Sequence, residues 1–237
     1  MNIKAQGLLN AAEYIQERYG DDALRDVLRA CSVDVRDRYV SAIAINWHPI
    51  SEFVEFLEVA ERQLGRNDGR LAEEIGAAGA RKNMKGTILR VAFYVSKPEF
   101  LLKRITHLWR QFNDQGSMDL LQLDASLCTI EIKGIGTPHW LFCATINGWA
   151  REVATKVGGV RAIAKHSECL ARGGRRCIFE MRSAGGFSTG AEWSKDASPI
   201  VAPPRSDKQE EVPTSRKIAI EPDERQEREA SRRRSNS

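Results

Sequence analysis

The sequence HSECLARGGRRCIFEMR, residues 166–182, is the most informative part of this chain. His166 and Cys169 stand three positions apart where a strand enters a tight turn, and Cys177 follows eight residues later, near the start of a returning strand. A hairpin brings these three side chains together. Zinc in proteins takes about four thiolate or imidazole ligands in a tetrahedron. We therefore predict a metal site, with Cys143 on the preceding helix as the candidate fourth ligand.

A site with four protein ligands has no open position for water or substrate, so its role would be structural. Glu168 would then not bind the metal itself and would at most contact one of the side chains that do. The alternative is that these are small buried residues of a hairpin and a helix, because free cysteine is commonly buried and inert. Cys31 and Cys128 have no such partners in the sequence, and we interpret them as core residues.

The hydrophobic pattern predicts an α+β fold, with N-terminal helices packed on a C-terminal antiparallel sheet. Helical spacing dominates residues 1–114, where Pro49 suits the first turn of a helix and Pro98 opens an amphipathic one. In residues 115–182 the hydrophobic pattern changes from helical spacing to the alternation of strands, and one further helix is predicted after Pro138. Strands are predicted at 118–123, 127–133, 160–166 and 175–182, and further helices at 71–80 and 87–95.

The end of the chain has a different composition. Residues 183–237 contain 13 hydrophobic residues among 55, hold five of the eight prolines and have no net charge. Such a segment cannot bury enough apolar surface to offset its ordering entropy. We predict a folded domain over residues 1–182 and a disordered tail over 183–237.

Several classes of protein are excluded by composition and motifs. The net charge of +4 gives no reason to expect nucleic-acid binding, and no apolar run has the roughly 18 residues of a membrane span. The N-terminus lacks the apolar core of a signal peptide, so we expect a cytoplasmic protein. Phosphate-binding glycine loops, GxSxG and HExxH are absent, so we predict no catalytic residues and a protein that is not an enzyme.

The runs NGWAREVATKVGG (147–159) and HSECLARGGRRCIFEMR (166–182) resemble the end of a 4-vinyl-reductase-like domain. That group is related to haem-NO-binding domains and to subunits of the TRAPP complex. In its phenol-sensing transcription activators, zinc is held by a helix cysteine, an acidic residue and two hairpin cysteines. The matching positions here are Cys143, His166, Cys169 and Cys177, with His166 in place of the acidic residue. The resemblance implies structural zinc on a Cys₃His set.

The resemblance is looser over residues 1–114. There, NWHPISEFVEFLEVAERQLG and KPEFLLKRITHLWRQFNDQG are similar to an uncharacterised bacterial family of the same superfamily, which is expanded in myxobacteria.

The resemblance implies a non-catalytic module of bacterial signalling that senses a small hydrophobic molecule or a protein, acts on a partner in trans and forms a homodimer. The alternatives are an enzyme or accessory protein of tetrapyrrole vinyl reduction, or a TRAPP-like scaffold. Aromatic residues at helical spacing are usually core, but six residues are candidates for lining a pocket: Phe93, Tyr94, His107, Trp109, Phe112 and Trp140.

Haem is not expected. Haem-NO-binding domains attach iron through a helix histidine, for which His107 is the candidate, but they also present a Tyr-x-Ser-x-Arg pattern that this sequence lacks. His48 is interpreted as a cap or loop residue, and His139 as part of a helix's first turn.

Overall fold

A computed structural model describes residues 1–85, 105–136, 138–158, 161–184 and 186–187. Within these residues the predicted α+β architecture is confirmed, with helices first and the larger antiparallel sheet later. The helices are α1 (Gln6–Tyr19), α2 (Asp21–Ala30), α3 (Val33–Ser41), α4 (Ile50–Gln63), α5 (Arg70–Lys85), α6 (Ile105–Phe112) and α7 (Trp140–Gly158). The strands are β1 (Asn2–Lys4), β2 (Trp47–Pro49), β3 (Ser117–Leu123), β4 (Leu127–Lys133), β5 (Ala162–Glu168) and β6 (Cys177–Ser183).

The larger sheet has the strand order β3-β4-β6-β5, with every neighbouring pair antiparallel. The last strand of the described residues, β6, therefore lies inside the sheet. One face of β4 and β6 carries Cys128, Ile130, Ile132, Phe179 and Met181, all buried. Helix α7 packs against β5 and β6, so this helix and the sheet enclose the C-terminal half of the core.

The helical half is joined to this layer by a close crossing of α5 and α7. A Cβ atom on Gly76 would lie 1.9 Å from the carbonyl oxygen of Thr145, and one on Gly148 would lie 1.9 Å from that of Glu73. Only glycine allows backbones to approach this closely. Asn147 and Arg151 then bond the Glu73 carboxylate, at 2.9 and 3.2 Å, beside the same crossing.

The sequence analysis missed three short elements. Strands β1 and β2 have three residues each, pair with one another and are too short to show a period. Helix α3 buries only Val35 and Tyr39, so its apolar face is narrow, although Ser32 caps it by accepting a bond from the Val35 amide. Pro49 stands one residue before α4 and ends β2, instead of lying within the helix's first turn.

The folded part extends beyond residue 182, where the sequence analysis placed its end. Ser183 is the last residue of β6, and Phe187 is 1% exposed and donates its amide to the Ala125 carbonyl at 2.6 Å. The remaining residues of the predicted tail, the predicted helix at 87–95 and the helix start at Pro98 lie outside the described residues. No helix of the described part is long and apolar enough to cross a bilayer.

Candidate functional site

The four predicted metal ligands come from three elements. Cys143 lies in the first turns of α7, His166 in β5, Cys169 directly after β5, and Cys177 at the first position of β6. Their sulfur and ring nitrogen atoms all lie within 4.8 Å of one another. The structure therefore brings together the complete predicted set, which we call the metal cluster.

The turn between β5 and β6 explains how two of the cysteines meet. A short 3-10 turn, Leu170–Arg172, is followed by Gly173 in the left-handed region at φ 84°. The Gly174 amide then donates to the Cys169 carbonyl at 2.8 Å, where a Cβ on Gly174 would be only 2.8 Å from the same oxygen. The glycine pair is thus required by the backbone of this turn, which places Cys177 beside Cys169.

The spacing of the sulfur atoms suits a tetrahedral metal. Cys143 Sγ lies 3.7 Å from Cys177 Sγ and 3.9 Å from Cys169 Sγ. Two sulfur atoms bound to one zinc at about 2.3 Å are about 3.8 Å apart in a tetrahedron. The three cysteines are also buried, so bulk water has no ready access to the cluster.

His166 is held in position to be the nitrogen ligand. Its ring stacks on Phe179, with centroids 4.2 Å apart and planes within 6°. Its Nε2 atom is buried, and none of the described residues forms a hydrogen bond with it. A buried ring nitrogen without a partner is costly, and coordination to a metal would satisfy it.

The surroundings favour a thiolate in the cluster. The pKa of Cys177 is lowered, chiefly by its hydrogen bond with Cys143, with further support from His166 and from the Leu170 amide at 3.4 Å. The pKa of Cys143 is raised by that same hydrogen bond and by burial. The thiolate is the form of cysteine that binds metal. A hydrogen bond from a backbone amide to the sulfur is typical of the groups that surround and orient metal ligands.

Neighbouring residues support the turn without joining the cluster. The Glu168 carboxylate accepts bonds from the Arg175 amide at 3.0 Å and from Arg176 Nε at 3.3 Å. Cys31 and Cys128 are buried core residues, as predicted, and burial raises the pKa of each to about 12. They stay protonated and lie apart from the metal cluster.

A second feature is a cavity of about 150 Å³ between the helices and β1. Its apolar part includes five aromatic rings, of which Trp109 and Phe142 meet edge to face at 6.3 Å. The described residues that line it are Ile3, Lys4, Gln6, Gly7, Asn10, Phe53, Ile75, Gly76, Gly79, Asn83, Leu108, Trp109, Phe112, Asn113, Met118, Phe142, Thr145, Ile146 and Trp149.

The polar part of the cavity wall consists mainly of carboxamides. Asn10 and Asn113 are 6% and 8% exposed. Asn10 Oδ1 accepts a bond from Gln6 Nε2 at 2.7 Å, and its Nδ2 group faces Gly79, where an added Cβ would lie 3.6 Å away. The orientation of Asn10 therefore leaves an amide donor at the cavity wall.

Lys4 is the single charged side chain among the described lining residues. Its Nζ donates to the Ile45 carbonyl at 2.5 Å and lies 3.8 Å from the centre of the Trp47 ring. The charge of Lys4 is thus engaged by the loop before β2.

The predicted pocket residues are only partly brought together. Trp109 and Phe112 line the cavity. His107 is exposed on α6, and Trp140 is half-buried against Gly69, so neither lines it. Phe93 and Tyr94 lie outside the described residues.

The sequence analysis missed the glycine and amide wall on α1 and α5. Its signal was present in Gly79, a small residue within a helical stretch, which leaves a hollow on that helix face. The prediction for His48 was wrong, because it is a strand residue 6% exposed and not a cap or loop residue.

The fold is similar to that of H-NOX proteins of known structure. An H-NOX protein from S. oneidensis in the Fe(II)NO ligation state is 13% identical, with a TM-score of 0.59 over 76% of this chain and 98% of that chain. A variant of the Fe(II) unliganded H-NOX protein from K. algicida is 11% identical, with a TM-score of 0.57 over 76% and 96% of the two chains. A Tt H-NOX variant gives 11% identity and a TM-score of 0.57 over 77% and 95%.

No protein-family model matches the sequence, and the comparison with curated proteins found no match. At these identities the likeness shows the fold alone. It supports the predicted relation to haem-NO-binding domains at the level of fold, while the links to 4-vinyl-reductase and TRAPP proteins and to the myxobacterial family stay predictions.

The structural neighbours include proteins studied for haem distortion in the H-NOX family, so they give no support to the prediction that haem is absent here. Haem iron is usually held by histidine, cysteine, tyrosine or methionine. Among the described lining residues only Met118 belongs to these types, and His107 lies on the surface. The described part of the wall does not fit haem.

Proposed function

We propose that this chain, built on the fold of H-NOX domains, is a non-catalytic sensor module that binds a small, uncharged, largely apolar molecule in its cavity. The observation that carries this proposal is the cavity between the helices, which is lined by five aromatic rings and by buried carboxamides. A concave apolar site with a few convergent polar groups is the usual form of a small-molecule site.

The cavity volume indicates the size of the ligand. A cavity of about 150 Å³ lined by apolar side chains can bind benzene, and the volume here is about 150 Å³. A molecule with a single ring fits this space, while a haem macrocycle is several times larger.

The lining also indicates the polarity of the ligand. Lys4, the one charged group in the described wall, is already bonded to the Ile45 carbonyl and packed on Trp47. A carboxylate in the cavity would therefore be desolvated with poor compensation. The Asn10 amide can instead donate a hydrogen bond to a hydroxyl or carbonyl oxygen.

We further propose that the metal cluster holds one structural zinc ion. The four donors, the sulfur separations and the unpartnered Nε2 of His166 support this. Bound there, zinc would tie the N-terminal end of α7 to the β5–β6 hairpin. It would have no open position for catalysis. The module would act in the cytoplasm on a protein partner in trans.

The cavity proposal is tested by titrating the purified protein with benzyl alcohol, cyclohexanol and benzoate, followed by calorimetry. We expect benzyl alcohol to bind best and benzoate not to bind. Gly79→Leu, which extends into the cavity, should abolish binding, while Gly79→Ala serves as the control at the same position. Equal binding by benzoate, or unchanged binding by Gly79→Leu, would contradict the proposal.

The zinc proposal is tested by native mass spectrometry with elemental analysis. We expect one zinc ion per chain, absent from Cys143→Ser and retained in Cys128→Ser. The second variant is a matched control because Cys128 is equally buried, at 1% exposure, but outside the cluster. A folded wild-type protein without zinc, even after incubation with zinc salt, would overturn this part.

A further inference from the structure

Strands β3 and β5 form the two edges of the larger sheet. Helix α6 packs against β3 and helix α7 against β5, and each edge pairing contains one bulge, at Leu121 in β3 and at Ser167 in β5. Strand β5 pairs with β6 on one side, and no strand of the described residues pairs with its other side. An uncovered edge strand offers backbone amides and carbonyls to another extended chain.

The side chains around this edge are strongly basic. Residues 161–182 contain six basic and two acidic side chains, a net charge of +4, which equals the net charge of the whole protein. Within the described part of the chain, Arg161, Lys165, Arg172, Arg175 and Arg182 are exposed and form no ion pair. Only Arg176 is neutralised, by Glu131 at 2.9 Å and Glu168 at 3.3 Å.

An apolar contact lies within the same strip. Ile163 is 72% exposed, stands between Arg161 and Lys165 in the sequence, and lies opposite Arg182 in the register with β6. A partner strand would thus meet one exposed aliphatic side chain flanked by cations.

We propose that the β5 edge, which no strand of the described residues covers, is a docking strand for an extended, acidic segment of a partner protein. Main-chain hydrogen bonds would supply affinity, and the exposed cations would select acidic side chains. The same cations disfavour pairing of β5 with β5 of a second copy, because like charges placed opposite one another repel. The metal cluster lies at the end of this strand, so it would hold the docking edge rigid. The inference does not depend on the ligand of the cavity.

The test uses the full chain and a short synthetic peptide that alternates glutamate with valine, followed by fluorescence anisotropy. Two control peptides have the same length: one replaces glutamate with lysine, and one keeps the side chains but carries N-methyl groups on alternate backbone amides. We expect binding of the acidic peptide only. Binding of the N-methylated peptide with equal affinity would show attraction by charge alone and would overturn strand docking.

The protein variants locate the surface. Arg161→Gln/Lys165→Gln removes one cation from β5 and one from the residue directly before it, and should weaken binding about fivefold. Arg25→Gln/Arg29→Gln removes two cations from α2, the half-buried Arg25 and the exposed Arg29, and should leave binding unchanged. Circular dichroism confirms that both variants are folded. An equal loss in the two variants, or no binding by the wild-type protein at low salt, would also overturn the proposal.

Discussion

The metal cluster and the cavity share one helix, α7, and they are built by opposite means. In the cluster, four donor atoms within 4.8 Å converge on one point, and three of their residues come from a single hairpin. In the cavity, residues of helices α1, α4, α5, α6 and α7 and of strands β1 and β3 surround space that glycines leave open. The cluster is specified by coordination chemistry, whereas the cavity is specified by the absence of side-chain volume. The two sites should therefore respond differently to the same kind of change.

The largest effect is expected from Cys177→Ser. Metal binding in small zinc domains contributes about 10–16 kcal/mol to folding, so losing one ligand should lower the melting temperature of this larger domain by about 10–20 °C. Thermal unfolding with and without a chelator measures this. The chelator should lower the melting temperature of the wild type and leave that of the variant unchanged. If the chelator left the melting temperature of the wild type unchanged, the metal cluster would not depend on a metal, and the proposed contrast with the cavity would be wrong.

The second effect compares the stability of two glycine variants. Gly148 allows two helix backbones to touch, whereas Gly79 borders the cavity. Gly148→Ala should destabilise the protein by about 3 kcal/mol, because its methyl group would overlap the Glu73 carbonyl. Gly79→Ala should be neutral or should stabilise the protein by up to about 1 kcal/mol, because the added methyl has room and alanine favours helices. Urea unfolding of both variants gives the comparison. Similar losses in both would mean that the α5–α7 crossing and the cavity wall tolerate volume equally.

The smallest effect concerns pH and the β1 wall of the cavity. His48 pairs with Ile3, which lines the cavity, and both of its ring nitrogens are buried without a partner among the described residues. Burial, and then Arg38 nearby, lower the pKa of His48, while Glu52 opposes them. The unfolded chain therefore binds the proton more readily than the folded one, so stability should fall as the pH drops below about 6.5.

This dependence is measured by urea unfolding between pH 7.5 and 5.5. His48→Phe should flatten the profile, while His107→Gln, which changes an exposed histidine, should not. An identical profile in wild type and His48→Phe would assign the dependence to other groups.

The contrast between the two sites also explains what the sequence could predict. The metal ligands His166, Cys169 and Cys177 lie within twelve positions, so local spacing and turn chemistry were enough to group them, and Cys143 followed from the helix before them. The alternating pattern placed strands β3 and β4 within one residue of their ends. Here local sequence and final structure agree because the contacts are short in sequence.

The cavity could not be predicted in this way. Of the six candidates, Trp109 and Phe112 line it, because an amphipathic stripe identifies which face is buried but not which part of that face borders a void. The opposite wall, with Gly79 and Asn10, comes from elements far apart in the chain. The buried Phe187 was assigned to a tail because composition averages over a segment and does not detect one anchoring residue.

The strand order β3-β4-β6-β5 has a consequence for synthesis on the ribosome. Strand β6 is the last of the sheet to emerge, yet it fills the place between β4 and β5. A nascent chain that ends before residue 177 thus exposes two unpaired strand edges and holds an incomplete set of metal ligands. When β6 is added, it fills the gap in the sheet and supplies the last metal ligand in one step. Binding of the ion would therefore coincide with the loss of the unpaired strand edges that favour aggregation.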